Sequence, residues 1–505
     1  MRGETVPVIF GLKLKHLREE KGYLLKEFAA LAGLSPSYLN EIERGKKYPK
    51  TDKIVQLADA LGASYDDLVS LKLDPELNPL ESVLDSPMIR ELPLQLFGIS
   101  GRDVIGLLTR APREAGALIR TLVEIARIYD MQVEHFFYAM LRSYQEAHNN
   151  YFEEIETAVH AFVQAHGWAE DVPVTLEQLA ETLGREFKVE IDEGSLWETP
   201  ELQGFRSIWV EGDPHKLLLN PRLSGPQKVF QLGREIGYRN LGLKERGITS
   251  SRADVTSFEQ VLNDFKASYF AGALMIREGM LVEDLRSFFR RERWESSEFL
   301  AMLPRYRVTP EMFLYRLTQL IPKFFGLKQL HFLRFSSVSG SNTYYLTKHF
   351  NMSGVHIPTG IGLNEHYCRR WLSVEILRDL ARDQQQGEVA SPIIGAQVSN
   401  FIDREAQFFC ISIARPLTLT PGTNTSVTIG FLLNDEFRNT VRFWNDPTIP
   451  RQALNETCQR CGLTEAECSD RAAPPVIHRQ REALENRKAV LKSTLADLKA
   501  SKKPA

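Results

Sequence analysis

The stretch LKEFAALAGLSPSYLNEIERGKKYP, Leu25 to Pro49, decides the reading of the chain. Apolar residues recur at helical spacing on both sides of Gly33-Leu34-Ser35, and so tight a turn between two short amphipathic segments predicts a helix-turn-helix. Working outward, LKLKHLREEKG before it and DKIVQLADALG and DDLVSL after it keep the same period. Gly22, Gly33 and Gly62 read as helix stops, and Ser35, Thr51 and Ser64 as N-caps. Five short helices are expected, with Ala29 and Ile42 turned inward.

In such a unit the third helix, opening at Pro36, meets base edges in the major groove with its N-terminal side chains. Asn40 has the donor and acceptor to pair with an adenine edge, and Ser37 suits base or phosphate. Arg44, Lys46 and Lys47 follow as phosphate contacts, which position without specifying. The segment resembles the DNA-binding module of the Xre/Cro/lambda-repressor family over nearly its whole length. The resemblance implies a contact set of Lys26, Ser35, Pro36, Ser37, Tyr38, Asn40, Arg44, Lys46 and Lys47. Residues 1–72 hold twelve Lys and Arg against ten Asp and Glu. So weak an excess predicts a homodimer on paired half-sites of a double-stranded operator rather than one head acting alone.

A chain of 505 residues is too long for one domain. The net charge of −3 excludes a protein that coats DNA with a basic surface. No signal peptide or membrane span is read, and five cysteines do not suggest a disulfide scaffold, so a cytoplasmic setting is expected. The fold expected is multidomain: an all-α helix-turn-helix head at 8–72, a linker at 73–93 and a helical connector or dimerisation region at 94–166. An α+β domain at 170–305, an α+β sensory domain at 306–447 and a Cys-containing tail with a terminal helix at 448–505 follow.

The first α+β domain places helices at PQKVFQLGREIGYRNLG and FEQVLNDFKASYFAGALMI behind short alternating strands. FQLGREIGY and KASYFAGALMI resemble the signature helices of the ImmA/IrrE zincin-like metallopeptidases. In that family the first helix carries two His ligands flanking a catalytic Glu, and the second an acidic ligand. Here Arg234 and Tyr238 stand at the His places and Lys266 at the acidic one, with Glu235 kept. Arg and Lys offer zinc no lone pair near neutral pH. A pseudo-peptidase, not an enzyme, is expected. Arg234, Tyr238 and Lys266 would then form a clamp for a small anionic effector, or the cations would pair with Glu235 and Asp264.

In the next region, strands such as LHFLRFSSV, TYYLTKHF and TSVTIGFLL with an inserted helix, WLSVEILRDLARD, look like a GAF-type sensory sheet. Cys458, Cys461 and Cys468 cluster near the end, and Cys368 can fold back as a fourth thiolate for zinc or an iron–sulfur cluster. Cys410 alternates within an apolar strand and reads as core. Taken in order, the head, the IrrE-like part and the Cys tail resemble the short-chain fatty acyl regulator family (ScfR/RamB-like). That resemblance implies a transcription regulator answering to short-chain acyl-CoA. A peptidase that cleaves a repressor, or a redox or metal sensor using the Cys cluster, are the competing readings.

Overall fold

The computed structural model describes residues 2–70, 121, 133–249, 255–355, 365–387, 392–404 and 406–500. The expected linker at 73–93 and the connector as far as residue 132, Thr121 aside, lie outside them. The chain divides into two compact units, Met1–Tyr144 with Val255–Phe258, and Gln145–Asp254 with Glu259–Ala505.

The first unit holds the five expected helices: α1 (Arg2–Glu20), α2 (Leu25–Leu31), α3 (Pro36–Glu43), α4 (Thr51–Leu61) and α5 (Tyr65–Val69). Phe10, Leu14, Phe28, Ala29, Leu39, Ile42, Ile54, Leu57 and Leu61 form one buried core. Ser35 caps α3, its hydroxyl accepting from Tyr38 N at 3.2 Å, and Ser64 caps α5 in a reciprocal capping box. The cap of α4 is Lys50 rather than Thr51, which is already helical. Gly33 and Gly62 stop their helices at φ 63° and 60°, a left-handed region that costs glycine no Cβ clash. α6 (Val133–Ala147) follows.

The second unit continues with α7 (Glu153–Ala165), α8 (Leu176–Phe187), β1 (Val189–Asp192), β2 (Ser207–Val210), β3 (His215–Leu219), α9 (Gly225–Asn240), α10 (Phe258–Met275), α11 (Glu278–Phe289), α12 (Ser296–Tyr306) and α13 (Pro310–Phe325). The first three strands form a small sheet of order β1-β3-β2, parallel between β1 and β3. A buried network ties three helices together. Arg316 on α13 donates to both oxygens of Glu156 on α7 at 2.6 and 2.9 Å, and Tyr269 on α10 donates to the same carboxylate at 2.7 Å.

β4 (Leu330–Val338), β5 (Tyr345–Asn351), α14 (Leu372–Gln385), β6 (Ile393–Phe401), β7 (Ala406–Pro416), β8 (Thr423–Leu432) and β9 (Arg451–Leu454) build a six-stranded sheet ordered β5-β4-β8-β7-β6-β9. All its pairs are antiparallel except β6 with β9, a short strand that the sequence patterning did not show. Successive side chains face opposite ways. One face carries Leu333 and Phe335 under α14, while Phe332 on the other meets Tyr315 of α13 edge-on at 5.3 Å. α15 (Val476–Ala500) closes the described chain. Residues 145–254 and 259–505 fall in a single unit.

Candidate functional site

On α3 the inward positions are Leu39, Ile42 and Glu43, all buried, and the outward ones are Pro36, Ser37, Arg44 and those just beyond the helix. Ser37, Lys26, Lys46 and Lys47 are exposed, with Tyr38 and Asn40 half-buried on the same rim. Because Ser35 provides the cap, Ser37 is released from that duty. The Asn40 amide has no side-chain hydrogen bond among the described residues, so both its groups are available to a base edge. Lys47 is partly engaged, bonded to Glu41 at 2.7 Å and lying 5.7 Å over the Tyr38 ring. The orientation of α3 is fixed from behind. Arg18 of α1 grips Glu43 through two bonds, 2.7 and 3.0 Å, and also donates to Tyr23 O at 2.7 Å.

This face has the composition of a groove-reading surface: an amide at its centre, hydroxyls beside it and cations at its rim. Asn40→Ala is expected to weaken specific operator binding by about 1–3 kcal/mol while non-specific binding is retained. Lys46→Ala should act on all sequences alike and flatten the salt dependence by about one phosphate contact. Titrations at several salt concentrations on operator and scrambled DNA separate the two. A uniform loss for Asn40→Ala would assign that residue to phosphate.

In the second unit α9 and α10 cross at glycines. A Cβ on Gly233 would stand 3.2 Å from Ala271 Cβ, and one on Gly237 3.0 Å from Phe270 Cβ. That close approach brings Arg234 and Tyr238 against Asp264. The Arg234 guanidinium pairs with Asp264 Oδ1 and donates to Gln231 Oε1 at 3.0 Å. The Tyr238 hydroxyl donates to Asp264 Oδ1 at 3.3 Å. Burial, then the Asp264 carboxylate, pushes the Tyr238 hydroxyl well above its ordinary pKa. Glu235, 3% exposed, is held by Arg246 on both oxygens at 2.6 and 2.8 Å and by Arg239 at 3.3 Å.

The clamp expected of Arg234, Tyr238 and Lys266 is therefore corrected. Arg234 is neutralised by Asp264, the pairing that was the alternative reading, although with a different acid. Helix geometry gives the reason. Asp264 and Lys266 stand roughly 200° apart around α10, so a helix that aims Asp264 at α9 turns Lys266 aside. Lys266 is half-buried and has no hydrogen bond or ion pair among the described residues. Sequence reasoning missed Arg239 and Arg246 as partners of Glu235, and named Asp264 without assigning it to Arg234. Arg239 lies on α9 itself, Asp264 30 residues beyond Arg234, and spacing alone does not name a partner.

The cysteines share one corner. Cys368 N donates to Glu456 O at 3.3 Å and Cys458 N to His366 O at 2.9 Å, which brings the two segments side by side. Ala472 N donates to Cys458 Sγ at 3.3 Å. All four are buried and unbridged. Burial pushes the Cys368 thiol up to about 12, with Cys458 and Cys461 adding to the rise, and burial raises Cys461 and Cys468 as well. Among the described residues no group of three or more His, Cys, Asp or Glu is arranged to hold a metal ion. Cys410 is buried within β7, as its alternation implied.

A cavity between α14 and the sheet is lined by His331, Trp371, Ser373, Ser399, Phe408 and Cys410 among others. Its free space is about that of one water. His331 Nδ1, buried without a hydrogen-bond partner, borders it. That volume suits a bound water better than an effector.

Two family models match the chain, a helix-turn-helix over residues 14–68 and an IrrE N-terminal-like domain over residues 200–318. The head is 42% identical over 60 residues to the HTH-type transcriptional regulator YazB of Bacillus subtilis. That match covers 12% of this chain and 87% of the relative. A longer match, 23% identical over 275 residues, is to the propionyl-CoA carboxylase regulator of Cereibacter sphaeroides, covering 53% of this chain and 56% of that one. Among solved structures a Mycobacterium tuberculosis transcriptional regulator is similar at TM-score 0.45 and 18% identity, over 67% of this chain and 94% of that one. No described helix is long and apolar enough to cross a membrane.

Proposed function

Because the chain belongs to the helix-turn-helix transcriptional regulators, with an Xre-type head joined to an IrrE-like domain, we propose that it controls genes of short-chain acyl metabolism in response to a small anionic ligand. The observation that carries the DNA-binding part is the outward face of α3, where Ser37 and Asn40 stand unengaged above a buried Arg18–Glu43 clasp. The acyl part is supported by the relative named for propionyl-CoA carboxylase. A homodimer on paired half-sites supplies the affinity that one weakly basic head lacks.

In this reading the IrrE-like part serves as a frame and performs no peptide hydrolysis. Its former metal position holds a guanidinium and a protonated phenol, and its Glu235 is locked by two arginines. A carboxylate so paired has neither a metal-bound water to activate nor a free lone pair for one. The sensing role falls to the six-stranded sheet. Its antiparallel core, with α14 inserted between the second and third strands, supports the GAF-like reading.

The experiment is a fluorescence-anisotropy titration on operators found by mapping binding sites across the genome, with and without acetyl-, propionyl- and butyryl-coenzyme A. A change of at least tenfold in operator affinity with one of them is the expected result. An unchanged affinity with all three overturns the acyl-responsive part. Stoichiometric zinc together with cleavage of a peptide substrate overturns the non-enzymatic part.

A further inference from the structure

On the α13 face of the large sheet, cations line up across the strands. Lys348 of β5 stands directly opposite Arg334 of β4. Two residues further along, Thr425 of β8 pairs with Arg415 of β7, and Arg334 Nε reaches Thr425 Oγ1 at 3.4 Å. Directly paired residues share a face, so Lys348, Arg334 and Arg415 form one row. A single acid enters it. Glu311, in the first turn of α13, lies 3.6 Å from Arg334 and 3.6 Å from Lys348. Arg206, just before β2, adds a fourth positive charge that acts on Glu311 and Arg415. Burial opposes ionisation of Glu311, yet Arg334, Lys348, Arg206 and Arg415 together hold its carboxyl down at about 2.

The charge does not balance, with four cations against one carboxylate. Arg206 and Arg415 are half-buried, and neither guanidinium makes a hydrogen bond or ion pair among the described residues. Burial lowers both, and so does repulsion, from Arg334 and Arg234 on Arg206 and from Arg334 and Arg206 on Arg415, against the pull of Glu311. Bringing like charges together in a partly dehydrated place is costly unless a counter-charge is meant to arrive. Two arginines with free planar donors suit the oxygens of a phosphate, which guanidinium binds two-pronged.

We propose that Arg206, Arg334, Lys348 and Arg415 form a binding site for a phosphate-bearing anion, gripped by the two arginines that the fold leaves unpaired. The proposal rests on the reading that this chain answers to a small anionic ligand, and it moves the anion from α9 to the sheet. Thr425 is already engaged, its hydroxyl donating to Phe335 O at 2.8 Å and accepting from Arg334, so it steadies the row rather than the anion. Glu311 keeps the empty row partly neutral and sets a threshold that only a multiply charged anion exceeds. A monovalent carboxylate does not qualify.

The test is thermal unfolding of the full chain in phosphate-free buffer, with inorganic pyrophosphate and separately with coenzyme A. The wild type should be stabilised by both, saturably. Stabilisation by coenzyme A at tenfold lower concentration would mark a nucleotide-borne phosphate as the occupant, and equal potency a free inorganic anion. Arg206→Met with Arg415→Met should abolish both shifts. Without ligand that variant should melt no lower than wild type, because it removes repulsion and breaks no bond. Glu311→Gln should bind pyrophosphate several-fold tighter, a gain that a misfolded protein cannot show. No stabilisation of the wild type, or a shift that persists in the double arginine variant, overturns the site. Operator release by acyl-coenzyme A that persists in the double variant also overturns it, and leaves the ligand-responsive reading standing. Pyrophosphate binding without operator release by any acyl-coenzyme A fails that reading alone and leaves the site.

Discussion

Arg316→Met is expected to cost the second unit about 3–5 kcal/mol, because it strands a buried carboxylate. Arg316 is 1% exposed and Glu156 9%. The guanidinium gives Glu156 two bonds, gives Gln319 Oε1 another at 2.9 Å, and gives Ile276 O a fourth at 3.1 Å. Methionine fills most of the stem volume and returns none of these donors. Glu156 would keep only the Tyr269 hydroxyl at 2.7 Å, too little to hold a charge away from water. Adding Glu156→Met should recover most of the loss, since a buried pair replaced by apolar side chains of similar volume is often near neutral. The remaining deficit, about 1–3 kcal/mol, would be the Tyr269 hydroxyl left without its acceptor. Urea unfolding of the full chain measures all three proteins. A double variant as unstable as Arg316→Met would show that packing of the long side chain, not its charge, matters here.

The contrast between this network and the head explains what the sequence disclosed. In the head, the signals are local. Gly33 and Gly62 stop helices that begin within a few residues of them, and Ser35 caps the helix that it precedes. The period of Leu39 and Ile42 fixes which face of α3 looks outward. The helices α9 and α10 were also legible, but their close crossing at Gly233 and Gly237 was not read. Charge pairing was not. Arg234 had Asp264 and Lys266 as neighbours on the same helix, and one step of roughly 200° chose between them. The row of Lys348, Arg334 and Arg415 is set by the register of four strands whose order departs from chain order. No window of sequence contains it. The four cysteines lie between: the clustering of Cys458, Cys461 and Cys468 was visible, and the hydrogen bonds that set Cys368 beside Cys458 come from segments about ninety residues apart.

A consequence follows for how the two halves of the second unit divide their labour. Where α9 and α10 cross, the charges pair internally, since Asp264 faces Arg234 and Arg246 faces Glu235. On the large sheet Arg415 has no ion pair among the described residues, while Arg334 and Lys348 share Glu311. Charge that is satisfied internally stabilises a frame, whereas charge left over is available to a ligand.

Lowering the pH from 7 to 4 is expected to destabilise the sheet region by about 3 kcal/mol through one residue, His331. Its ring is 6% exposed, edge-on to Phe408 at 4.9 Å, and lies over Gly430, where an added Cβ would come within 2.3 Å of its Cε1. Burial lowers its pKa from 6.5 to about 4. Desolvation is the cause, and the surroundings offer no carboxylate to offset it. The sign follows from linkage. Between pH 6.5 and 4 the unfolded chain takes up a proton that the folded chain refuses, so stability is full above about 6.5 and falls as the pH drops towards 4. A shift of this size, at about 1.36 kcal/mol per unit, gives the figure stated. His331→Phe removes the titration and keeps a flat ring, and the water-sized space beside it takes the extra atom. Unfolding free energies measured across that range should slope for the wild type and lie flatter for the variant by the same amount. Parallel curves would mean that His331 is protonated in the folded chain, its Nδ1 bonded to a buried water that accepts the proton's charge.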